Sequence, residues 1–212
     1  MAEVFVNIGN AILLLNLILF VKGFSRNGKA FKIITAYIAI IFVIQITGNI
    51  LNYYKIYNLW LSHFYFILQF IVLSIFYISI LKEKFQKDLV KLGLVIAGST
   101  LSIQYAFNTD LFYAFNLFEI FLTSYLLIIY SAFHFYNLLN TKREFYYMNM
   151  GILIYLFGST ILFLTGNLMA LLSSKMNKWP WLLNAALYIV YQIFIFIEWK
   201  RNYTLKNISH GH

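Results

Sequence analysis

Glu119 is the one acidic residue embedded in an apolar stretch of this 212-residue sequence. Of the other six, Glu3, Glu83, Asp88, Asp110 and Glu144 fall in a terminus or in gaps between apolar runs, and Glu198 falls at the end of one. A carboxyl group inside an apolar helix is costly, and such groups mark function by default. Ionised, Glu119 needs a cation, yet no Lys or Arg lies at its level in the neighbouring runs. It therefore keeps its proton, or it meets water or a bound cation. His63 is the one histidine placed to reach it. The two together can form a proton-sensitive pair, or a carboxylate that anchors a cationic or hydroxylated ligand. The structural alternative is a protonated Glu119 donating one hydrogen bond to Asn49 or Asn167.

Other polar residues recur at helical spacing. Gln45, Asn49 and Asn52 are i, i+4, i+7; Asn116, Glu119 and Thr123 are i, i+3, i+7; Asn184, Tyr188 and Tyr191 form a third line. Stripes converging from three helices make a polar pocket, so the candidate lining is Glu119, His63, Asn49, Gln45, Asn116, Asn167, Asn184 and Tyr188. The plainer role for Asn and Gln in apolar helices is interhelical hydrogen bonding, at about 0.6 kcal/mol each. No residue is assigned as catalytic or as a metal or cofactor ligand. There is no cysteine for a disulfide or thiolate, and His134, His210 and His212 stand apart from His63.

The elements that must position these residues are membrane helices. The chain is 62% hydrophobic and 11% charged, outside the range of soluble domains. Seven apolar runs, near 4–22, 33–54, 60–81, 90–107, 112–136, 148–172 and 180–199, approach the roughly 20 residues that cross ~30 Å of hydrocarbon as helix. The runs are continuous rather than alternating, which favours helices over a barrel. The expected fold is an all-α integral membrane protein, a seven-helix bundle forming one membrane domain. The fourth run is the weakest, being short and interrupted by Gly93, Gly98, Ser99, Thr100 and Ser102. Trp60, Trp179, Trp181 and Trp199 sit at expected boundaries, as interfacial aromatics do. Met1 to Asn7 carries no positive charge, so the first run is expected to be a span and not a cleaved leader. With short gaps, any soluble activity is expected to come from a partner chain.

Basic residues set the orientation. Thirteen of the 16 Lys and Arg lie in alternate gaps: Lys22, Arg26, Lys29, Lys32, Lys82, Lys84, Lys87, Lys91, Lys142, Arg143, Lys200, Arg201 and Lys206. Lys55, Lys175 and Lys178 occupy the others. The N-terminus is therefore expected outside and the C-terminus inside. The net charge of +9 is read as a topology signal with affinity for anionic lipid, and not as nucleic-acid binding. The sequons at Asn202 and Asn207 fall in the expected inner tail, where glycosylation does not occur. Heavy use of Phe, Ile, Lys, Asn and Tyr points to an AT-rich genome and a bacterial inner membrane.

Thr47-Gly48-Asn49 and Thr165-Gly166-Asn167 recur at matching depth in runs of the same direction. This suggests parallel repeat units, 1–81 and 112–199, joined by the fourth run, although small residues also recur simply because they suit helix packing. The one proline, Pro180, excludes hinge prolines within the spans, and the seventh run has no interior lysine for a retinal Schiff base. The leading expectation is a receptor or sensor module. It would have an outward-facing polar pocket for a small molecule and would signal through basic inner loops to a separate cytoplasmic protein. The alternatives are a small-solute transporter, proton-coupled through Glu119, and a membrane-embedded enzyme acting on lipid.

Overall fold

The computed structural model describes residues 2–139, 143–172 and 178–202. They form seven α-helices, α1 (Ala2–Gly23), α2 (Lys29–Tyr53), α3 (Leu61–Ile80), α4 (Lys84–Phe107), α5 (Leu117–Leu138), α6 (Tyr146–Leu172) and α7 (Lys178–Asn202), with a five-residue 3-10 helix at Thr109–Tyr113. All seven are long and apolar enough to cross a membrane. Lys142, Lys175, Lys206, the sequon residues from 203 onward, His210 and His212 lie outside the described residues.

The helices gather into two compact units. The first holds α1, α6 and α7, with α7 packed on both of the others. Leu13 and Phe20 of α1, Ile152 and Tyr155 of α6, and Tyr191 and Ile195 of α7 are among its buried side chains. Glycines let the helices close up: Gly9 lies against Tyr188, Gly151 against Phe194 and Gly158 against Leu187. In its interior Asn16 Nδ2 donates to the Gln192 side chain at 3.0 Å and to the Gln192 carbonyl at 2.9 Å. Glu198, fully buried, accepts the backbone N–H groups of Tyr147 and Met148 at 2.9 and 3.3 Å. It thereby supplies acceptors to donors that the first turn of α6 leaves without intrahelical partners.

The second unit spans Gly28–His134 and holds α2, α3, α4 and α5 as far as His134. Ile34, Ile38 and Ile41 of α2 pack with Phe70, Leu73 and Tyr77 of α3 in its core, and Gln69 Nε2 donates to Tyr37 Oη at 3.0 Å. Further along, Gly93 of α4 receives the Tyr130 hydroxyl of α5, where an added Cβ would lie 2.0 Å from Oη. On the other face of α4, Leu92, Val95, Ile96 and Ile103 are exposed apolar side chains, a surface suited to lipid.

Two helix starts differ from the expected runs. The fourth span starts at Lys84 and not at residue 90, and is a full 24-residue helix; the polar turn Lys84–Lys91 continues the helix although it weakens the apolar run. The fifth helix starts at Leu117, not at 112. Asn108, Thr109 and Asp110 break the chain after α4, and Asn116 restarts it. Glu119 thus lies in the first turn of α5 instead of about seven residues inside it. Asn116 is not on the helical stripe at all: its Oδ1 accepts the Glu119 N–H at 3.2 Å, making it the N-cap.

The two Thr-Gly-Asn stretches do similar local work. Gly48 faces Leu61 at the start of α3, and Gly166 faces Pro180 near the start of α7. Each marks a point where a helix returns closely upon its predecessor, which is the packing role small residues play in membrane helices.

Candidate functional site

The site is built at one end of the second unit, where α3 begins, α4 ends and α5 begins. Each helix terminus brings one side chain: His63 from the first turn of α3, Tyr105 from the last turn of α4 and Glu119 from the first turn of α5. His63 is 2% exposed and Glu119 is fully buried.

His63 Nδ1 lies 3.3 and 3.2 Å from the two carboxyl oxygens of Glu119 and 2.8 Å from Tyr105 Oη. Tyr105 Oη and Glu119 Oε2 share a short hydrogen bond. Asn116 Nδ2 donates to Tyr105 Oη at 3.2 Å and to Gln104 Oε1 at 3.0 Å. Asn116 therefore caps α5 with its oxygen and orients the end of α4 with its nitrogen. Thr123 Oγ1 donates to the Glu119 carbonyl at 2.8 Å, one turn further along.

Two proton arrangements satisfy these distances. With Glu119 ionised, Tyr105 donates to it and His63 Nδ1–H donates to Tyr105; with Glu119 protonated, it donates to Tyr105, which donates to His63 Nδ1. In both, Nδ1 is engaged and Nε2 is the ring nitrogen left over. That atom is buried and has no hydrogen-bond partner.

The same histidine forms part of the wall of a cavity of about 470 Å³, completed by Ile67 of α3, Tyr105, and Thr109, Phe112 and Tyr113 of the 3-10 segment. Phe112 stacks on the imidazole with ring centroids 5.6 Å apart and planes 26° apart. The Tyr57 hydroxyl holds this segment in place by donating to the Tyr113 carbonyl. A cavity of this volume suits a small organic molecule.

Of the residues proposed from the sequence, His63, Glu119 and Asn116 come together here. The Glu119 side chain bonds to His63 and Tyr105 and not to Asn49. Gln45 and Asn49 are half-buried on α2 and outside the cavity wall. In the other unit Asn167 is exposed and Asn184 half-buried, while Tyr188 is buried and packs edge-on against Tyr155. Tyr105, Ile67 and Phe112 were not anticipated. Nothing sets them apart in a sequence with 17 Tyr and 22 Phe. Asn116-Leu-Phe-Glu119 did carry a signal, since Asn followed three residues later by Glu is a helix-start signature. Among the described residues, no three of His, Asp and Glu converge in a way that could hold a metal ion.

No family model, curated protein or solved structure matches this chain.

Proposed function

We propose that the protein is a membrane-embedded binding module of the receptor type, whose cavity beside His63 takes a small molecule. The observation that carries this reading is the imidazole itself. It is held at Nδ1 by Glu119 and Tyr105, has no partner at Nε2, and lines a cavity otherwise walled by Ile67, Thr109 and aromatic rings. A polar atom buried without a partner costs about 1–3 kcal/mol.

Positive-inside asymmetry supports an N-out, C-in orientation in a bacterial inner membrane, which puts the cavity at the outer side. Lys82, Lys84 and Lys91 are exposed at the opposite end of α4 from Tyr105. One continuous helix thus joins the cavity to a basic surface, and a separate cytoplasmic protein docking there is the route for a signal. A second reading, acid–base chemistry on a lipid, draws on the same pair, because His63 and Glu119 share a proton-bearing contact beside the cavity.

The test is saturable binding of an environment-sensitive apolar dye, Nile red, to purified protein. Ile67→Trp fills the cavity and is expected to abolish the saturable signal. Leu92→Trp, on the exposed face of α4, is expected to retain it. Equal dye binding by both variants and the unaltered protein would refute the reading.

A further inference from the structure

We infer, resting on the binding reading above, that the cavity takes an uncharged hydrocarbon group supplied by the surrounding bilayer.

The polar groups of the wall are already spent inside the protein. His63 Nδ1 is engaged by Glu119 and Tyr105, and Nε2 is buried beneath the surface. The imidazole therefore offers the cavity its ring and not a hydrogen-bonding nitrogen. The Tyr105 hydroxyl is held by Glu119, His63 and Asn116, whichever way the protons lie. Ile67 and Phe112 add only carbon, and the hydroxyls of Thr109 and Tyr113 belong to the two most exposed wall residues, at the mouth. No Lys, Arg, Asp or Glu lines the cavity; Glu119 is fully buried behind the wall. A charged ligand would lose its water there without meeting a counter-charge, and a buried hydroxyl or amide would go without a partner. A hydrocarbon group loses nothing by entering and gains contact with the rings.

The wall also runs into the lipid-facing surface. Phe64 and Ile71, one turn to either side of Ile67 on α3, are exposed apolar side chains of a membrane-crossing helix. Phe64 meets the cavity residue Phe112 edge-on, with ring centroids 6.3 Å apart. Trp60, at the start of α3, meets Phe64 in the same way at 5.7 Å. An aromatic row thus leads from the end of the helix to the cavity, and a group moving along it keeps apolar contact throughout. Hydrocarbon is abundant in the bilayer and scarce in water, so the bilayer is the supply. The group can be the chain end of a bilayer lipid or a free lipophile dissolved among the chains, since both offer Ile67 and Phe112 the same surface.

The experiment uses the full chain in phosphatidylcholine vesicles, with dodecane carrying a mid-chain diazirine as the probe. Dodecane-1,12-diol with the same diazirine is the comparator, and the two are brought to equal mole fraction in the bilayer. Photolabelled residues are read by mass spectrometry, and Nile red binding is followed on the same vesicles. The alkane is expected to label the segments around Ile67 and Phe112 saturably and to displace the dye. The diol should label them about tenfold more weakly, because one of its hydroxyls must be buried without a partner. This comparison is made on the unaltered protein, so it does not depend on a variant folding. Ile67→Trp should remove the saturable alkane labelling, and Leu92→Trp should keep it. Competition by hexadecane, or enriched labelling of the same segments by a phosphatidylcholine with the diazirine in one acyl chain, would each support the inference and tell the source. Diol labelling equal to or stronger than that of the alkane, with Nile red still bound saturably, would overturn the hydrocarbon and leave the binding reading standing. Saturable dye binding that the alkane neither labels nor displaces would do the same. Absence of both saturable labelling and saturable dye binding would overturn both.

Discussion

Glu198 and Glu119 are both fully buried carboxyl groups in apolar helices, and the protein holds them in different ways. Glu198 accepts backbone N–H groups at the start of α6, donors that the helix geometry leaves open in any case. Beside it, Arg201 donates to the Tyr147 hydroxyl at 2.6 Å and lies over the Tyr147 ring, 5.1 Å from its centroid. Glu119 has Asn116 on its backbone N–H, which frees its carboxyl group to hold two side chains, one of them lining a cavity with an idle nitrogen. A buried charge answered by backbone does structural work. One answered by side chains that line a cavity is, on the reading proposed above, part of a binding site.

Substitution should pull the two sites apart. Glu198→Ala leaves two first-turn donors of α6 without this acceptor. Hydrogen bonds to a charged group are worth about 1.5–3 kcal/mol, so a loss of about 3 kcal/mol is expected in thermal or denaturant unfolding, with dye binding unchanged once folded. Glu119→Gln keeps the shape and an acceptor for Tyr105. It should cost about 1 kcal/mol of stability while weakening dye binding severalfold. If the two substitutions behaved alike in both assays, the distinction would fail.

A packing test comes next in size. An added Cβ at Gly93 would collide with Tyr130 Oη, so Gly93→Ala should destabilise by about 1–3 kcal/mol. The Tyr130 hydroxyl is buried and without a hydrogen-bond partner. Tyr130→Phe alone should therefore be neutral or stabilising, and combined with Gly93→Ala it should recover part of the loss in a double-mutant cycle.

Much of the fold was legible because lipid imposes one strong rule: an apolar run of about 20 residues becomes a helix. The rule says little about where a helix stops once the pattern turns polar or aromatic. That is why the pattern alone places Lys84 to Lys91 at a gap and Phe112 to Asn116 in helix. The site was half legible. Glu119 and His63 stood out because charge and imidazole are rare in membrane spans. Tyr105 did not, because its hydroxyl matters only through the break at Asn108, which turns the end of α4 towards both. Asn184 and Tyr188 share helical spacing on one run, but spacing does not say what a face packs against; Tyr188 packs on Tyr155.

Two smaller effects sharpen the same contrast. Asn16→Leu removes the bond to Gln192 and should cost about 0.6 kcal/mol, the ordinary worth of such a bond within a membrane, with no effect on binding. Lys55 closes α2 in a left-handed conformation, with φ 56°, and the Ile56 N–H reaches back to the Leu51 carbonyl at 2.8 Å. Glycine suits that position better, so Lys55→Gly should raise stability by about 1 kcal/mol.

The most direct test of the account is whether His63 borders the ligand cavity, read by nitrogen-15 NMR on histidine-labelled protein without an affinity tag. The chain has four histidines, so His63→Phe assigns the resonances by difference. The account predicts that the His63 ring resonances shift as Nile red saturates the protein and that Ile67→Trp abolishes the shift. Saturable Nile red binding that leaves the His63 resonances in place would contradict it.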